Sequence, residues 1–223
     1  MRVHVAFTPD DVPEAPVAVV VDVLRATSTI AQALASGYRR VYCCREIEDA
    51  LALREQLGEG LLGGERKAAR IEGFDIGASP LEVLQPQGEV LIYSTTNGTA
   101  AVLAAAERCE EVVLGSLLNL AAVAAAVRED CVIVCAGFQG QFALDDAYCA
   151  GRIVEMLGGE VTDAAKASAL LAGAFPTPLE GLLARTYGPP GLEDDIRFCA
   201  QVNTIDVVPR FTRMVDSAAE ITL

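Results

Sequence analysis

Histidine and tryptophan are nearly missing from this chain: His4 is the single histidine, and there is no tryptophan. With one imidazole, in a stretch predicted to be the first strand, catalysis of the serine–histidine or cysteine–histidine type lacks its base. None of the seven cysteines belongs to a Cys-x-x-Cys pair, which argues against a structural zinc site. Acid–base or metal chemistry is therefore left to carboxylates, lysines, arginines and hydroxyls.

Positive charge is also scarce, since 17 lysines and arginines stand against 31 aspartates and glutamates, for a net charge of −14. This balance argues against a nucleic-acid partner, whose phosphates need basic side chains. No apolar run approaches the length of a membrane span, and the start MRVHVAFTPD has no signal-peptide core, so we expect no membrane partner. The odd number of cysteines, most of them in apolar segments, predicts reduced thiols and a cytoplasmic protein.

The most informative stretch is 17–29, VAVVVDVLRATST. Its unbroken apolar run predicts a strand buried on both faces, as in a parallel sheet covered by helices. Asp22 and Arg25 follow the strand, and Thr27 and Ser28 open a predicted helix whose N-terminus favours an anion. The turn thus offers a carboxylate for a metal, an arginine for an anion and a helix start for a phosphate. Simple strand termination and helix capping explain the same residues equally well.

The order strand, threonine-rich turn, helix, strand, helix, strand occurs twice, over 17–65 and 89–136. The two copies align without a gap at an interval of 71 residues, which matches Val41 with Val112 and Leu62 with Ile133. We interpret this as an internal βαβαβ duplication that brings two helix starts to one cleft, although two ordinary units could align by chance. The 223 residues, 52% of them hydrophobic, predict one domain over 1–223 and make a homodimer reasonable.

The end of the chain gives a weaker pattern. We expect a C-terminal extension over 160–223, with a helix over Leu179–Tyr187, a Gly-Pro-Pro-Gly loop and a polar tail after Asp206–Pro209. The acidic cluster that includes Asp194 and Asp195 belongs either to a solvated loop or to the functional site, and the sequence does not decide between them.

A second polar turn, STTNGT at Ser94–Thr99, places hydroxyls beside the free N–H groups of a helix start, which suits a phosphate or sulfonate. The same letters are also a common turn and cap. Glu65 and Arg66 follow a short strand in GGERK and form either part of a site or a solvated loop. In AGFQGQFALDD, Gly137 and Gly140 suit a close backbone approach.

Several acids stand near predicted strand ends and loops, with no usable histidine or cysteine beside them. Oxygen ligands alone fit magnesium better than zinc or copper. Magnesium, arginine and helix N-termini together suggest a phosphoryl group as substrate. The acids in question are Asp22, Glu65, Asp75, Asp145 and Asp146.

These motifs, in this order, resemble the 2-phosphosulfolactate phosphatase family of the coenzyme M pathway. The resemblance implies a phosphoric monoester hydrolase that uses Mg²⁺ to convert 2-phospho-3-sulfolactate into 3-sulfolactate and phosphate. It also implies a three-layer α/β/α fold with internal duplication, and we expect a largely parallel or mixed sheet. The residues that carry the resemblance are DVLRATST at Asp22–Thr29, GGER at Gly63–Arg66, GFDIGASP at Gly73–Pro80, STTNGT at Ser94–Thr99 and AGFQGQFALDDAYCAG at Ala136–Gly151.

The resemblance implies a role for each matching residue. Asp22, Glu65 and Asp146 would hold magnesium, and Arg25 and Arg66 would meet the anionic groups of the substrate. Two other functions stay open: a phosphatase of another small phosphorylated acid, and a non-catalytic protein that binds an organic phosphate or sulfonate. The residues expected to receive phosphate or sulfonate at the two helix starts are Thr27, Ser28, Thr96, Asn97, Gly98 and Thr99.

Overall fold

Every strand of the described chain joins one sheet. The computed structural model describes residues 1–188 and 190–223; Pro189, in the predicted Gly-Pro-Pro-Gly loop, lies outside the described residues. The strands are β1 (Arg2–Ala6), β2 (Ala15–Val21), β3 (Arg40–Cys44), β4 (Leu61–Arg66), β5 (Ala69–Arg70), β6 (Val90–Ser94), β7 (Cys109–Gly115), β8 (Cys131–Cys135), β9 (Glu160–Val161), β10 (Arg210–Val215) and β11 (Ala218–Thr222). The helices are α1 (Ala26–Ser36), α2 (Ile47–Leu57), α3 (Gly98–Arg108), α4 (Leu120–Ala126), α5 (Leu144–Leu157), α6 (Asp163–Gly173), α7 (Pro178–Leu183) and α8 (Glu193–Cys199).

The sheet is mixed, in the order β5-β4-β6-β3-β11-β10-β7-β2-β8-β1-β9. The pairs among β4, β6 and β3 are parallel, and so are those among β7, β2, β8, β1 and β9. The β10–β11 hairpin joins these two parallel halves and is antiparallel to both of its neighbours. The predicted α/β class with a mixed sheet is confirmed.

The two βαβαβ units exchange their first strands. Strand β2 of the first unit lies between β7 and β8 of the second, and β6 of the second lies between β3 and β4 of the first. In the register, Ala18 is opposite Val112 and Leu91 is opposite Val41. Ala18 and Leu91 are therefore equivalent although 73 residues apart, two more than the 71 between Val41 and Val112. The gap-free alignment was wrong at the first strand, because the first unit is two residues longer between its first two strands.

Strand β2 is buried on both faces, as its sequence predicts. Ala18 and Val20 belong to the hydrophobic cluster beneath α1 and α3, and the alternate residues Val19 and Val21 belong to the cluster beneath α4, α5 and α6. Helices thus cover both faces of the sheet, which gives the three layers. Among the described residues, no helix has both the length and the apolar character needed to cross a bilayer.

The end of the chain lies at the centre of the sheet, so the prediction of a polar tail was wrong. Ala219 and Ile221 of β11 point into the hydrophobic cluster under α1 and α3. Glu220, on the opposite face, accepts a hydrogen bond of 3.1 Å from the Tyr42 hydroxyl and pairs with Arg213 at 2.7 Å. Alternation over only five residues, with a carboxylate in the middle, concealed a strand that is buried on both faces.

Candidate active site

A cleft of about 300 Å³ lies where the turn after β2 meets the turn after β6. Its walls include five segments: the two turns, the β4–β5 hairpin, the loop after β8, and the residues Arg185, Tyr187, Gly188 and Leu192 between α7 and α8. Several predicted residues meet in it, as do others that the sequence did not single out. The lining residues include Asp22, Arg25, Glu65, Lys67, Ala68, Thr96, Asn97, Phe138, Gln139, Arg185 and Tyr187.

The two helix starts are in direct contact, as predicted for a shared cleft. A Cβ atom on Gly98 would lie 2.5 Å from the Ala26 Cβ and 2.8 Å from the Asp22 Oδ2. Only glycine leaves room for α3 to begin so close to the first turn. Gly98, predicted to receive phosphate, thus contributes the space that brings Asp22 and the start of α3 together.

Asp22 is the carboxylate at the centre of the cleft, and its side chain is 8% exposed. Its Oδ1 accepts one hydrogen bond of 3.3 Å, from the Ala26 amide. The pKa of Asp22 is raised to about 7, chiefly by burial and also by the nearby charges of Asp145 and Glu65. A buried carboxylate with so few partners is suited to a cation or to a proton.

Arg25 is held in place by a carboxylate from the far end of the chain. Its Nη1 donates a 2.6 Å hydrogen bond to the Asp195 Oδ2, and its Nη2 donates to the Ala68 carbonyl oxygen at 3.3 Å. Asp195 is 8% exposed and accepts a second bond of 2.5 Å, from the Ser79 hydroxyl. The neighbouring Asp194 is exposed on α8. Of this acidic pair, whose role the sequence left open, Asp195 contacts the site through Arg25.

Glu65 ties the β4–β5 hairpin to the second turn. Its Oε1 accepts a hydrogen bond of 2.9 Å from the Thr96 amide, and its Oε2 accepts one of 2.6 Å from the Ala68 amide. Glu65 therefore fixes two segments of the cleft wall while its carboxylate lines the cavity. Each oxygen retains a second lone pair for a ligand.

Asp146 lies behind the cleft and does not line it. Its Oδ1 accepts from the Val23 amide at 2.9 Å and its Oδ2 from the Gly137 amide at 3.0 Å. Burial, and then the charge of Asp145, raises the pKa of Asp146 well above its usual value. Among residues 1–188 and 190–223, no group of three or more histidine, cysteine or carboxylate side chains is preassembled to hold a metal ion. The structure thus does not bring Asp22, Glu65 and Asp146 together as one set of ligands.

One part of the cleft lining, the aromatic wall formed by Phe138, Arg185 and Tyr187, was missed from the sequence. The predicted helix Leu179–Tyr187 was wrong at its end, because α7 stops at Leu183 and the next residues turn into the cleft. The Tyr187 ring stacks on Phe138, with centroids 4.2 Å apart and planes 17° apart, and its hydroxyl donates to Asp145. The Arg185 guanidinium lies over the same ring, 5.9 Å from its centroid. These contacts join segments far apart in sequence, so no local pattern signals them.

Other predicted residues support the site from outside the cleft. Their hydrogen bonds go to the surrounding backbone or to neighbouring side chains, and a Cβ on Gly137 would lie 2.4 Å from the Gln141 carbonyl oxygen. Gly140, by contrast, has open space around it. The supporting bonds are Thr27 Oγ1 to the Gly115 oxygen (2.7 Å), Ser28 Oγ to the Val23 oxygen (2.8 Å), Arg66 Nη2 to the Arg45 oxygen (2.7 Å) and Ser94 Oγ (2.9 Å), and the Thr99 amide to the Thr95 Oγ1 (3.3 Å).

Comparison with known proteins identifies the family. Residues 5–214 match a family model described as 2-phosphosulpholactate phosphatase. The chain belongs to this family. A Thermus thermophilus protein is 41% identical over 224 residues, covering 94% of each chain, and a Gloeobacter violaceus protein is 41% identical over 227 residues, covering 95% of this chain and 96% of its own. A Caldanaerobacter subterraneus protein is 41% identical over 208 residues, covering 86% of each chain.

All three relatives carry the name probable 2-phosphosulfolactate phosphatase. That name denotes a phosphoric monoester hydrolase, so the family is one of enzymes. The family match includes the whole cleft, from Asp22 in the first turn to Leu192 before α8.

Proposed function

We propose that this protein hydrolyses 2-phospho-3-sulfolactate to 3-sulfolactate and inorganic phosphate. The observation that carries the proposal is the family match over residues 5–214, which contains every segment of the cleft. The chemistry of the cleft supports it: an arginine and two helix starts favour an anion, although the protein as a whole is acidic.

Residues of the two turns and the start of α3 bind the phosphate group in this proposal. The start of α3, with Thr96 and Asn97 in the cleft, offers its positive dipole end to the phosphoryl group, and Arg25 offers a guanidinium. In the reaction a water oxygen bonds to phosphorus, the bond from phosphorus to the C2 oxygen breaks, and that oxygen takes up a proton. Asp22, buried beside this position, is the carboxylate suited to orient the water.

We further propose that Mg²⁺ is the cofactor. Mg²⁺ usually keeps several waters and binds through one or two carboxylates together with phosphate oxygens, so it needs no preassembled cage. Asp22 and Glu65 in the cleft fit that mode of binding. The bound ion would neutralise charge on the phosphoryl oxygens. Asp146 does not line the cleft, and its oxygens accept hydrogen bonds from the Val23 and Gly137 amides, so we assign it to positioning the first turn and the loop after β8.

Phosphate release from purified protein tests the proposal. We expect rapid release from 2-phosphosulfolactate with Mg²⁺, and loss of activity when the metal is chelated. Phosphoglycolate, phospholactate and phosphoglycerate, assayed in parallel, test the alternative of another small phosphorylated acid. Thermal stabilisation by these compounds without turnover would instead favour a binding protein.

We also propose a cytoplasmic enzyme that acts in coenzyme M biosynthesis. All seven cysteines are free, and six of them are buried, which suits a reducing compartment. The family resemblance supports this place in the pathway. A homodimer is consistent with the apolar composition, and sedimentation of the purified protein would test it.

A further inference from the structure

Three cationic side chains line the cleft, and they differ in how their charge is matched. Arg25 is paired with Asp195 at 2.6 Å, so its charge is largely neutralised before substrate arrives. Lys67 is exposed at the turn between β4 and β5. Arg185 is half-buried in the aromatic wall of the cleft, beside Phe138 and Tyr187. In the described parts of the chain no carboxylate forms an ion pair with it. Burial raises the pKa of Asp145 and the charge of Arg185 lowers it in part, but the two side chains form no ion pair, so Arg185 is less neutralised than Arg25.

Arg185 is also held in a defined position. Its guanidinium lies over Tyr187, which stacks on Phe138 and is anchored through its hydroxyl to the buried Asp145. Cation–π contact with an anchored ring limits the conformations of the arginine, so less entropy is lost when it binds an anion. An ordered arginine that forms no ion pair among the described residues, at the wall of a cleft, is suited to an anionic group of a ligand.

The proposed substrate carries two kinds of tetrahedral anion. A phosphate monoester is basic, coordinates Mg²⁺ and suits the wall with Asp22, Glu65 and the start of α3. A sulfonate has a permanent single charge and very weak basicity, so it is a poor ligand for magnesium. A weakly hydrated guanidinium, with donors in a fixed fork, matches such a group.

We propose that Arg185 binds the sulfonate of the substrate and determines the preference for sulfonated over non-sulfonated phosphate esters. The inference rests on the proposed function and adds the second anion-binding position of the same cleft. Lys67 is the competing cation. It is less suited, because it is exposed and its flexible chain forms no side-chain hydrogen bond or ion pair among the described residues.

Steady-state kinetics on two substrates test this role. 2-Phospholactate has a methyl group where 2-phosphosulfolactate has a sulfomethyl group. The ratio of the kcat/KM values for the two substrates therefore measures the contribution of the sulfonate. We expect Arg185→Gln to lower kcat/KM on 2-phosphosulfolactate on the order of 10- to 100-fold, mainly through KM, since a hydrogen-bonded charge is lost. The value on 2-phospholactate should change less than about threefold. Arg185→Lys, which keeps the charge but not the fork, should fall between.

Arg197→Gln is the matched control, because Arg197 is exposed on α8 and pairs with Asp194 away from the cleft; it should leave both substrates unaffected. An equal loss on both substrates in Arg185→Gln and Arg185→Lys would overturn the role of Arg185. A collapse of the preference in Lys67→Gln instead would assign the sulfonate to Lys67.

Calorimetric binding of 3-sulfolactate and lactate separates this inference from the proposed function. If the wild type releases no phosphate but binds 3-sulfolactate more tightly than lactate, and Arg185→Gln abolishes that difference, the inference holds and the proposed function fails. If the wild type is active and Arg185→Gln keeps both the kinetic and the binding preference, the inference alone fails. If the wild type neither releases phosphate nor binds 3-sulfolactate, both the inference and the proposed function are overturned.

Discussion

The acids of this site differ in what their oxygens touch and in whether they face the cleft. Asp22 faces the cleft with one long hydrogen bond, Glu65 faces it while bonded to two amides, and Asp146 is bonded to two amides behind it. The sequence identified all three because each follows a strand or a glycine turn. It could not rank them, since their partners come from segments up to 123 residues away.

The buried charge of Asp22 predicts a pH dependence of stability in metal-free protein. The pKa of Asp22 is about 7 in the folded state against an ordinary value of 3.8, so folding favours its protonated form. That contribution is fully present below about pH 4 and is lost as pH rises through about 7. We expect Asp22→Asn to be more stable than wild type at pH 8 in chelator, by about 1–3 kcal/mol, but not at pH 4. Parallel stability curves for the two proteins in chemical unfolding would contradict this.

The Arg25–Asp195 pair predicts a contrast between two adjacent acids. Asp195→Asn leaves Arg25 without its charged partner, so we expect kcat/KM to fall on the order of tenfold to a hundredfold, with a change in KM. Asp194→Asn is the matched control, since Asp194 is exposed and pairs with Arg197 at 3.4 Å. Equal kinetics for the two variants would remove Asp195 from the positioning of Arg25, and similar melting temperatures would exclude misfolding as the cause of any difference.

At the scale of elements, local pattern was sufficient wherever an element had a clear period and a clear end. The start of helix α1 beside Thr27 and Ser28 was predicted, and Gly37 ends this helix in a left-handed conformation. The start of α3 beside the second polar turn was predicted in the same way. Helix α7 was extended by four residues, because Ala184–Tyr187 has no helix breaker and the stacking of Tyr187 on Phe138 is a tertiary contact.

The contact between the two helix starts predicts that Gly98→Ala will damage the site. The added methyl group would overlap the Ala26 Cβ and the Asp22 Oδ2, so the turns must move apart. We expect turnover to fall by at least about tenfold and stability by about 1–3 kcal/mol, as is usual for overpacking. Gly173→Ala is the control, because an added Cβ there meets nothing within 4 Å. Full activity in a folded Gly98→Ala protein would show that the two helix starts need not touch.

At the scale of the whole molecule, two features of the topology were beyond reach of the sequence. The order of elements indicated the repeat. The exchange of the first strands between units depends on long-range strand pairing, and the local sequence pattern does not distinguish it from pairing within each unit. The central place of the β10–β11 hairpin was likewise hidden. The cleft depends on the first of these features, because the turns after both exchanged strands line it, together with Arg185 and Tyr187 from the C-terminal part of the chain.

The central hairpin predicts a strong sensitivity to mutation close to the C-terminus. Ile221 is fully buried against the cluster under α1 and α3, so Ile221→Ala should cost about 2–5 kcal/mol. Met214 on the partner strand is 44% exposed, and Met214→Ala should cost about 0.5 kcal/mol or less. Urea unfolding compares them, and equally small costs would mean that the hairpin is not an integral part of the sheet.

The central claim is that this cleft, with Asp22 in it, releases phosphate from 2-phosphosulfolactate. Its most direct test is phosphate release by wild type and by Asp22→Asn, each assayed with Mg²⁺ and after chelation, with folding checked by circular dichroism. We predict rapid, chelator-sensitive release by wild type, and release on the order of 100-fold or more slower by the folded Asp22→Asn protein. Undiminished release by Asp22→Asn, or no release by folded wild type, would contradict the claim.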